Sequence, residues 1–293
     1  MKYRTLLLIG IVFIAAFLRF YNIGTNPPSL TWDEVAWGYN GYALGIDGKD
    51  EFGRFMPHDY LESFGDFKPP VYAYLTVLPV KLFGLTAFAT RFPSALAGTL
   101  TVLVTYFLVL ELFPSVKKKE YIGLLAAGIL AISPWHINLS RAAFEANVAT
   151  AFLVTGVWLF LKAVRGRYYY LIFSAISFVL SMYTFNTSRI VAPIIVIGLA
   201  IGFRNELWKH KKQTVLAAII GGLVLLPTVG FLFSPQAKLR FAEVNIFSDV
   251  GVVARSNLAV SRDNNAWWSK VVHNRRFLFT IEYMKHYFDN LTP

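Results

Sequence analysis

The chain has 293 residues, of which 56% are hydrophobic and 16% aromatic, and its mean hydropathy is +0.50. A soluble domain of this size does not carry so many apolar residues, so the composition indicates a protein that spans a membrane several times. Cysteine is absent, which excludes disulfides, a thiolate nucleophile and a cysteine metal site.

Seven apolar runs predict transmembrane helices, because about 20 helical residues cross the hydrocarbon core of a bilayer. The first run, 5–21, has the length of a signal peptide. It lacks a small-x-small cleavage site and contains Arg19, so we interpret it as an uncleaved helix. The remaining runs lie at 88–113, 120–138, 146–163, 168–185, 190–203 and 213–233. The fold class that follows is an all-α polytopic membrane protein.

An eighth apolar segment, Val71 to Leu85, is short and contains Pro79 and Lys81. If it lies in the interface as a juxtamembrane helix, the basic clusters of the short loops all fall on the amino-terminal side of the membrane. These clusters lie in segments 1–4, 114–120, 162–167 and 204–212. The net charge of +11 is then a signal of topology, and nucleic-acid binding loses its support. We expect a cytoplasmic amino terminus.

Two regions follow from this topology. Residues 1–233 form the transmembrane module, in which the loop 22–87 is the long first outer loop and the predicted place of catalysis. Residues 234–293 lie outside the membrane and end without a closing helix. We expect them to begin a second outer loop of a chain that is truncated.

An acidic pair, Asp33 and Glu34, stands just beyond the first span and is flanked by Trp32 and Trp37. Partial desolvation raises the pKa of a carboxyl group and makes it a better proton acceptor near neutral pH. The pair is therefore our candidate for catalysis. The alternative is that both acids only solvate the loop.

Four cations lie at outer positions that suit a phosphate or diphosphate, which arginine binds bidentately. Lys68 precedes a stiff proline pair that leads into the segment Val71 to Leu85. Arg91, Arg141 and Arg189 each fall at the outer end of a predicted span. The alternative for each of the four is an anchor at the membrane interface.

Whether the protein binds a divalent ion is left open. Asp66, His58 and Glu34 would come together and hold such an ion if the first loop folds back. No two histidines stand at a metal-ligand spacing, and nothing in the sequence requires the ion. Glu145 follows Arg141 by four residues, the spacing of a helical ion pair, and we expect the two to pair.

Taken in order, these segments resemble the integral-membrane glycosyltransferases of the GT-C superfamily, specifically bacterial relatives of the protein O-mannosyltransferases and of the aminoarabinose transferase that modifies lipid A. The resemblance is clearest over residues 1–145. It rests on Asp33-Glu34, Lys68-Pro69-Pro70 before Val71-Tyr72-Ala73-Tyr74, Lys81-Leu82-Phe83-Gly84, Arg91-Phe92-Pro93-Ser94-Ala95-Leu96, Ser133-Pro134-Trp135-His136 and Ser140-Arg141.

The resemblance implies a module of about seven transmembrane helices, with juxtamembrane helices in the first outer loop, in a bacterial or archaeal plasma membrane. It implies inverting transfer of a sugar from a polyprenyl-phosphate donor to a hydroxyl of a protein, lipid or glycan at the outer face. Asp33 would be the general base and Glu34 would shape its pocket. Lys68, Arg91 and Arg141 would neutralise the leaving polyprenyl phosphate.

One position departs from the family pattern, since several relatives place an acid directly before Lys-Pro-Pro. Here that position is Phe67 and the acid is Asp66. The departure leaves open whether a second carboxylate or a metal ligand acts there.

Two other classes of function remain as alternatives. A transporter or flippase of an anionic or glycosylated lipid would place ionisable residues near mid-membrane and show repeated halves. A non-catalytic scaffold would be insensitive to changes at Asp33 and Lys68. The ionisable residues gather at one face of the predicted membrane region, which favours an enzyme working there.

Overall fold

The computed structural model describes residues 2–237, 245–289 and 291 and is almost entirely helical. The chain divides into two compact units, Met1–Phe231 and Leu232–Pro293. The helices that begin in the first unit are Lys2–Phe20 (α1), Trp32–Asp47 (α2), Val71–Phe83 (α3), Ala87–Leu112 (α4), Lys119–Ile132 (α5), Pro134–Arg141 (α6), Glu145–Val164 (α7), Tyr170–Met182 (α8), Ser188–Gly202 (α9), Arg204–Lys209 (α10) and Lys211–Leu232 (α11).

Within these described residues, four helices are long and apolar enough to cross a bilayer: α1, α4, α7 and α11. Helices α5 and α6 add a fifth span if the pair, bent by 58°, is counted as one. The predicted spans 168–185 and 190–203 are also helical, as α8 and α9. Their 13 and 15 residues fall short of the length that a straight span requires.

The bend between α5 and α6 falls at Pro134, which lacks the N–H that would continue the helix. Arg19 of α1 is fully buried at this bend. Its guanidinium donates to the carbonyl oxygens of Ala131 and Leu130, at 3.1 and 3.2 Å, and lies 2.6 Å from Nδ1 of His136. Arg19 therefore satisfies carbonyl groups that the break in the helix leaves open.

The first loop folds into helix α2, a short hairpin and helix α3. Strands Leu61–Ser63 (β1) and Asp66–Lys68 (β2) pair antiparallel, with Leu61 opposite Lys68. The two turn residues, Phe64 and Gly65, both have positive φ, 51° and 76°, as a type I′ turn requires. The hairpin ends at Lys68, and Pro69 and Pro70 lead from it directly into α3.

Helices α2 and α3 pack closely because α2 has a glycine, Gly41, where the two helices cross. A Cβ on Gly41 would lie 3.0 Å from the Cβ of Thr76 on α3. Trp37 of α2 and Tyr72 of α3 are buried in the same core, with ring centroids 5.5 Å apart. The segments predicted as interfacial and juxtamembrane helices are thus helical and pack on each other.

The second unit contains a 3₁₀ turn, Ile246–Ser248, and helices Val250–Arg262 (α12), Trp267–Val272 (α13) and Arg275–Asp289 (α14). Phe247 packs against Phe279 of α14, with centroids 5.4 Å apart. Asp263 accepts a hydrogen bond from Ser269 and lies 3.3 Å from the ring of His273. These contacts join the 3₁₀ turn to α14 and Asp263 to α13 and to His273.

Candidate active site

The amino terminus of α2 sets the geometry of the acidic pair. Thr31 is the N-cap, and its hydroxyl accepts a hydrogen bond from the backbone N–H of Glu34. The carboxylate of Glu34 accepts in return from the N–H of Thr31, which completes a capping box. Since Asp33 and Glu34 are successive helical residues, their side chains point in different directions.

Glu34 points into the protein and forms a buried ion pair with Arg91 of α4. Nε of Arg91 lies 2.7 Å from Oε1 of Glu34, and each side chain is 1% exposed. Both oxygens of Glu34 also accept a backbone N–H, from Thr31 and from Ala143. The carboxylate is therefore saturated and tied to the segment between α6 and α7.

Arg91 has no donor left for a ligand, because all five of its N–H groups are used within the protein. Two go to Glu34, and three go to backbone carbonyl oxygens after α1, at 2.8 to 2.9 Å. The acceptors of these three are Ile23, Pro27 and Ser29. The predictions that Arg91 binds phosphate and that Glu34 lines the reaction pocket therefore need correction. The two residues hold the loop before α2 in place.

The pKa of Glu34 reports the balance between burial and these contacts. Burial raises the pKa of the carboxyl group, but the hydrogen bonds from Arg91, Thr31 and Ala143 lower it by more. The net pKa lies below the ordinary range for glutamate. Glu34 is therefore ionised at neutral pH, which does not suit a role as proton donor.

Asp33 points away from Glu34 and forms an ion pair with Lys68 at the end of β2. The side chain of Asp33 is 50% exposed, whereas that of Lys68 is only 7% exposed. Nζ of Lys68 also lies 5.4 Å from the ring centroid of Trp37, in cation–π range. The structure thus brings together two residues that the sequence singled out 35 positions apart, and it leaves the carboxylate accessible.

Glu145 lies near the pair formed by Asp33 and Lys68, and the sequence analysis did not predict this position. It opens α7, and both Asp33 and Lys68 lie near enough to act on its charge. The expected ion pair with Arg141 does not form, because α6 ends at Arg141 and Ala142 is extended, so the two residues are not on one helix. The four-residue spacing is therefore misleading across a helix break.

Arg141 and Arg189 occupy different surroundings. Arg141 donates to the carbonyl oxygens of Leu18 and Asn26, at 2.9 and 2.8 Å, and so fastens α6 to the end of α1. Arg189, near the start of α9, lies over the ring of Phe231 at 5.0 Å. Its Nε and Nη2 atoms are buried, and no described residue accepts a hydrogen bond from them.

The metal site left open by the sequence has no counterpart among residues 2–237, 245–289 and 291. No group of three or more histidine, aspartate or glutamate side chains there could hold an ion. His58 is exposed, and the carboxylate of Asp66 accepts a hydrogen bond from the N–H of Phe67. Glu34 is engaged with Arg91, so these three residues are not brought together.

The chain is similar to known membrane proteins in sequence and in fold. The family model described as dolichyl-phosphate-mannose-protein mannosyltransferase matches residues 67–231, more than half of the chain. A Bacillus subtilis (strain 168) protein named "Putative mannosyltransferase YkcB" is 26% identical over 218 residues, which are 73% of this chain and 28% of that protein.

Crystal structures of ArnT from Cupriavidus metallidurans share the fold. The apo structure aligns with a TM-score of 0.57 at 12% identity, over 96% of this chain and 53% of ArnT. The structure bound to undecaprenyl phosphate aligns with a TM-score of 0.55 at 13% identity, over 96% and 54%. The chain thus spans about half the length of ArnT and less than a third of the Bacillus relative.

Proposed function

The chain belongs to the dolichyl-phosphate-mannose-protein mannosyltransferase family, within the GT-C superfamily of membrane glycosyltransferases, and we propose that it transfers a sugar from a polyprenyl-phosphate donor to a hydroxyl acceptor. The reaction takes place at the outer face of the membrane, and the acceptor is a protein, lipid or glycan. The observation that carries the proposal is the pairing of an accessible carboxylate, Asp33, with a buried cation, Lys68.

Lys68 binds the phosphate of the donor. Its ammonium is held at a fixed position by the hairpin on one side and by Pro69 and Pro70 on the other, so little mobility is lost on binding. The phosphodiester of the donor carries one negative charge, as the carboxylate of Asp33 does, and shares the same ammonium. The phosphate gains a second negative charge when its bond to the sugar breaks, so Lys68 binds the leaving group more strongly than the donor.

Asp33 then acts as the general base. It removes the proton of the acceptor hydroxyl while that oxygen attacks the anomeric carbon, and the bond between this carbon and the phosphate oxygen breaks. The electron pair of that bond leaves with the polyprenyl phosphate, whose charge Lys68 stabilises. Attack from the side opposite the phosphate inverts the anomeric centre.

Arg189 and Glu145 complete the donor site. Arg189 offers buried N–H groups that lack an acceptor among the described residues, which suits a second contact to phosphate. Its neighbour Tyr183 accepts the backbone N–H of Val71, so Arg189 is connected to the end of the Lys68-Pro69-Pro70 segment. Glu145, at the start of α7, interacts electrostatically with Lys68.

The test uses the full-length protein in native-like membranes with a panel of labelled polyprenyl-phosphate sugars. Release of polyprenyl phosphate is measured for the wild type and for Asp33→Asn. Asp47→Asn is the matched control, because Asp47 ends the same helix and forms an ion pair with the exposed Lys49. We expect sugar-dependent release by the wild type and the control, and at least a hundredfold loss in Asp33→Asn.

Two outcomes contradict the proposal in different ways. Equal turnover by Asp33→Asn removes Asp33 as the base but keeps the reaction. No release with any donor, in the presence of an acceptor extract, favours transport of a lipid instead of transfer of a sugar.

A further inference from the structure

A cavity of about 520 Å³ lies between α3, α4, α7 and α8. It is lined almost entirely by hydrocarbon, with Leu75 and Leu78 of α3 at one end. None of the residues assigned to the reaction lines it. The cavity therefore needs an explanation of its own.

The cavity is elongated along the spans. It follows α7 through Val148, Ala151, Thr155 and Leu159, which stand on one side of the helix. Val148 and Leu159 are eleven positions apart, which corresponds to about 16 Å of helix at 1.5 Å per residue. One leaflet contributes about half of the 30 Å hydrocarbon core of a bilayer, so the length matches one leaflet.

Two hydroxyl groups in the lining already donate hydrogen bonds within the protein and have no proton left to donate to a polar ligand. Thr101 donates to the carbonyl of Ala97, and Ser177 donates to that of Phe152, each at 2.8 Å. The hydrogen-bond donors of both hydroxyls thus have acceptors on neighbouring backbone. A ligand that fits this lining is a hydrocarbon chain.

The cavity opens on the flank of the bundle, where the lining residues Leu78 and Phe173 are 64% and 54% exposed. A hydrocarbon chain therefore has a path into it from the side. Lys68 is not among the lining residues. The buried rings of Trp37 and Tyr72, 1% and 0% exposed, share a core with the lining residue Val148.

We propose that this cavity holds one acyl chain of a phospholipid from the leaflet on the side of Asp33. The acyl chain fills space that the protein leaves empty and supports α3, the helix that begins three residues after Lys68. The proposal does not depend on the transferase reaction. It predicts a protein whose stability depends on lipid.

The experiment uses the full-length protein in detergent, stripped of lipid, and measures the thermal midpoint and the phospholipid retained per molecule. Thr155→Phe fills the cavity. Thr150→Phe makes the same change on the exposed side of α7 and is the matched control. Phosphatidylglycerol with long acyl chains and undecaprenyl phosphate are added separately, and short-chain phosphatidylglycerol controls for the headgroup.

We expect long-chain phosphatidylglycerol to raise the midpoint of the wild type and of Thr150→Phe by on the order of 3 °C. Thr155→Phe should be more stable than the wild type without lipid, retain less phospholipid and respond by less than half as much. Ala151→Leu, a smaller filling change, replaces Thr155→Phe if that variant does not fold.

Three results overturn the proposal. The first is an equal response of the filled variants and the control. The second is a wild type that responds to undecaprenyl phosphate but not to phosphatidylglycerol, which assigns the cavity to the donor. The third is an equal response of the wild type to short and long acyl chains, which shows that only the headgroup matters.

Discussion

Arg91 and Glu34 form an ion pair in which both side chains are 1% exposed and Nε lies 2.7 Å from Oε1. The pair joins α4 to the start of α2, and the residue next to Glu34 is Asp33. Glu34 thereby fixes the helix turn from which Asp33 projects. The pair therefore positions the candidate base, Asp33, although neither Arg91 nor Glu34 is itself exposed beside the Asp33 carboxylate.

Removing one partner of this pair should destabilise the protein strongly. In Glu34→Gln the guanidinium of Arg91 stays buried without a counter-charge, and loss of one partner of a buried pair costs about 3–5 kcal/mol. The measurement is the free energy of unfolding in detergent, or the shift in thermal midpoint. Asp59→Asn is the control, because Asp59 pairs with Arg54 at partly exposed positions and should cost about 1 kcal/mol or less.

A double variant separates the structural role of the pair from a role in binding. Replacing Glu34 and Arg91 together by leucine and methionine leaves no buried charge, so part of the stability should return. The remaining loss measures the backbone groups that the two side chains satisfy, which are three carbonyl oxygens and two N–H groups. If the single variant Glu34→Gln is as stable as the wild type, the pair does not hold the loop.

The depressed pKa of Glu34 predicts how this stabilisation depends on pH. A carboxylate whose folded pKa is lowered stabilises the fold at every pH above its unfolded pKa, about 4.3, and this contribution is lost as the pH falls through the folded pKa. The difference in thermal midpoint between the wild type and Glu34→Gln should stay constant from pH 7 to about 5.5 and shrink below about pH 4. A difference that shrinks between pH 7 and 6 would mean that the pKa is raised instead.

Replacing Lys68 should affect turnover more than stability. Lys68→Met keeps most of the buried volume and removes the charge that faces Asp33, so release of polyprenyl phosphate should fall by about 10²–10³ while the fold persists. Donor kinetics in membranes measure this. Lys49→Met is the control in the same loop, since Lys49 is exposed and pairs with Asp47 at 3.6 Å. Wild-type kinetics in Lys68→Met would rule out the proposed phosphate contact.

Two glycines should respond to alanine with opposite signs. In Gly41→Ala the new Cβ would lie 3.0 Å from Thr76 and force α2 away from α3, at a cost of about 1–3 kcal/mol. Gly198, on α9, has nothing within 4 Å of the same position, so Gly198→Ala should gain up to about 1 kcal/mol from helix propensity. Thermal midpoints of the two variants check this. Equal shifts would show that the close packing of α2 on α3 does not matter.

The sequence predicted the helices because apolar run length is a local property. Helices α1, α4, α7 and α11 lie within a few residues of the predicted runs. The loop was also predictable in part, since Lys68-Pro69-Pro70 marks the entry to α3. The break at Pro134 was missed, because the apolar run continues through it.

Most contacts of the site depended on information that no local pattern contains, and the capping box is the exception. Thr31 and Glu34 have the spacing of a capping box, which could have shown that Glu34 turns inward while Asp33 does not. The partners of Arg91 are carbonyl groups more than sixty residues away, whose positions depend on the packing of α1 against α4. Glu145 was assigned to Arg141 because a helix was assumed to continue between them.

The carboxylate of Glu34 bonds at once to Arg91 on α4 and to the backbone of Ala143 before α7. A change in the tilt of α4 relative to α7 therefore displaces the first turn of α2. Through this one side chain, the packing of α4 against α7 reaches the helix turn that carries Asp33.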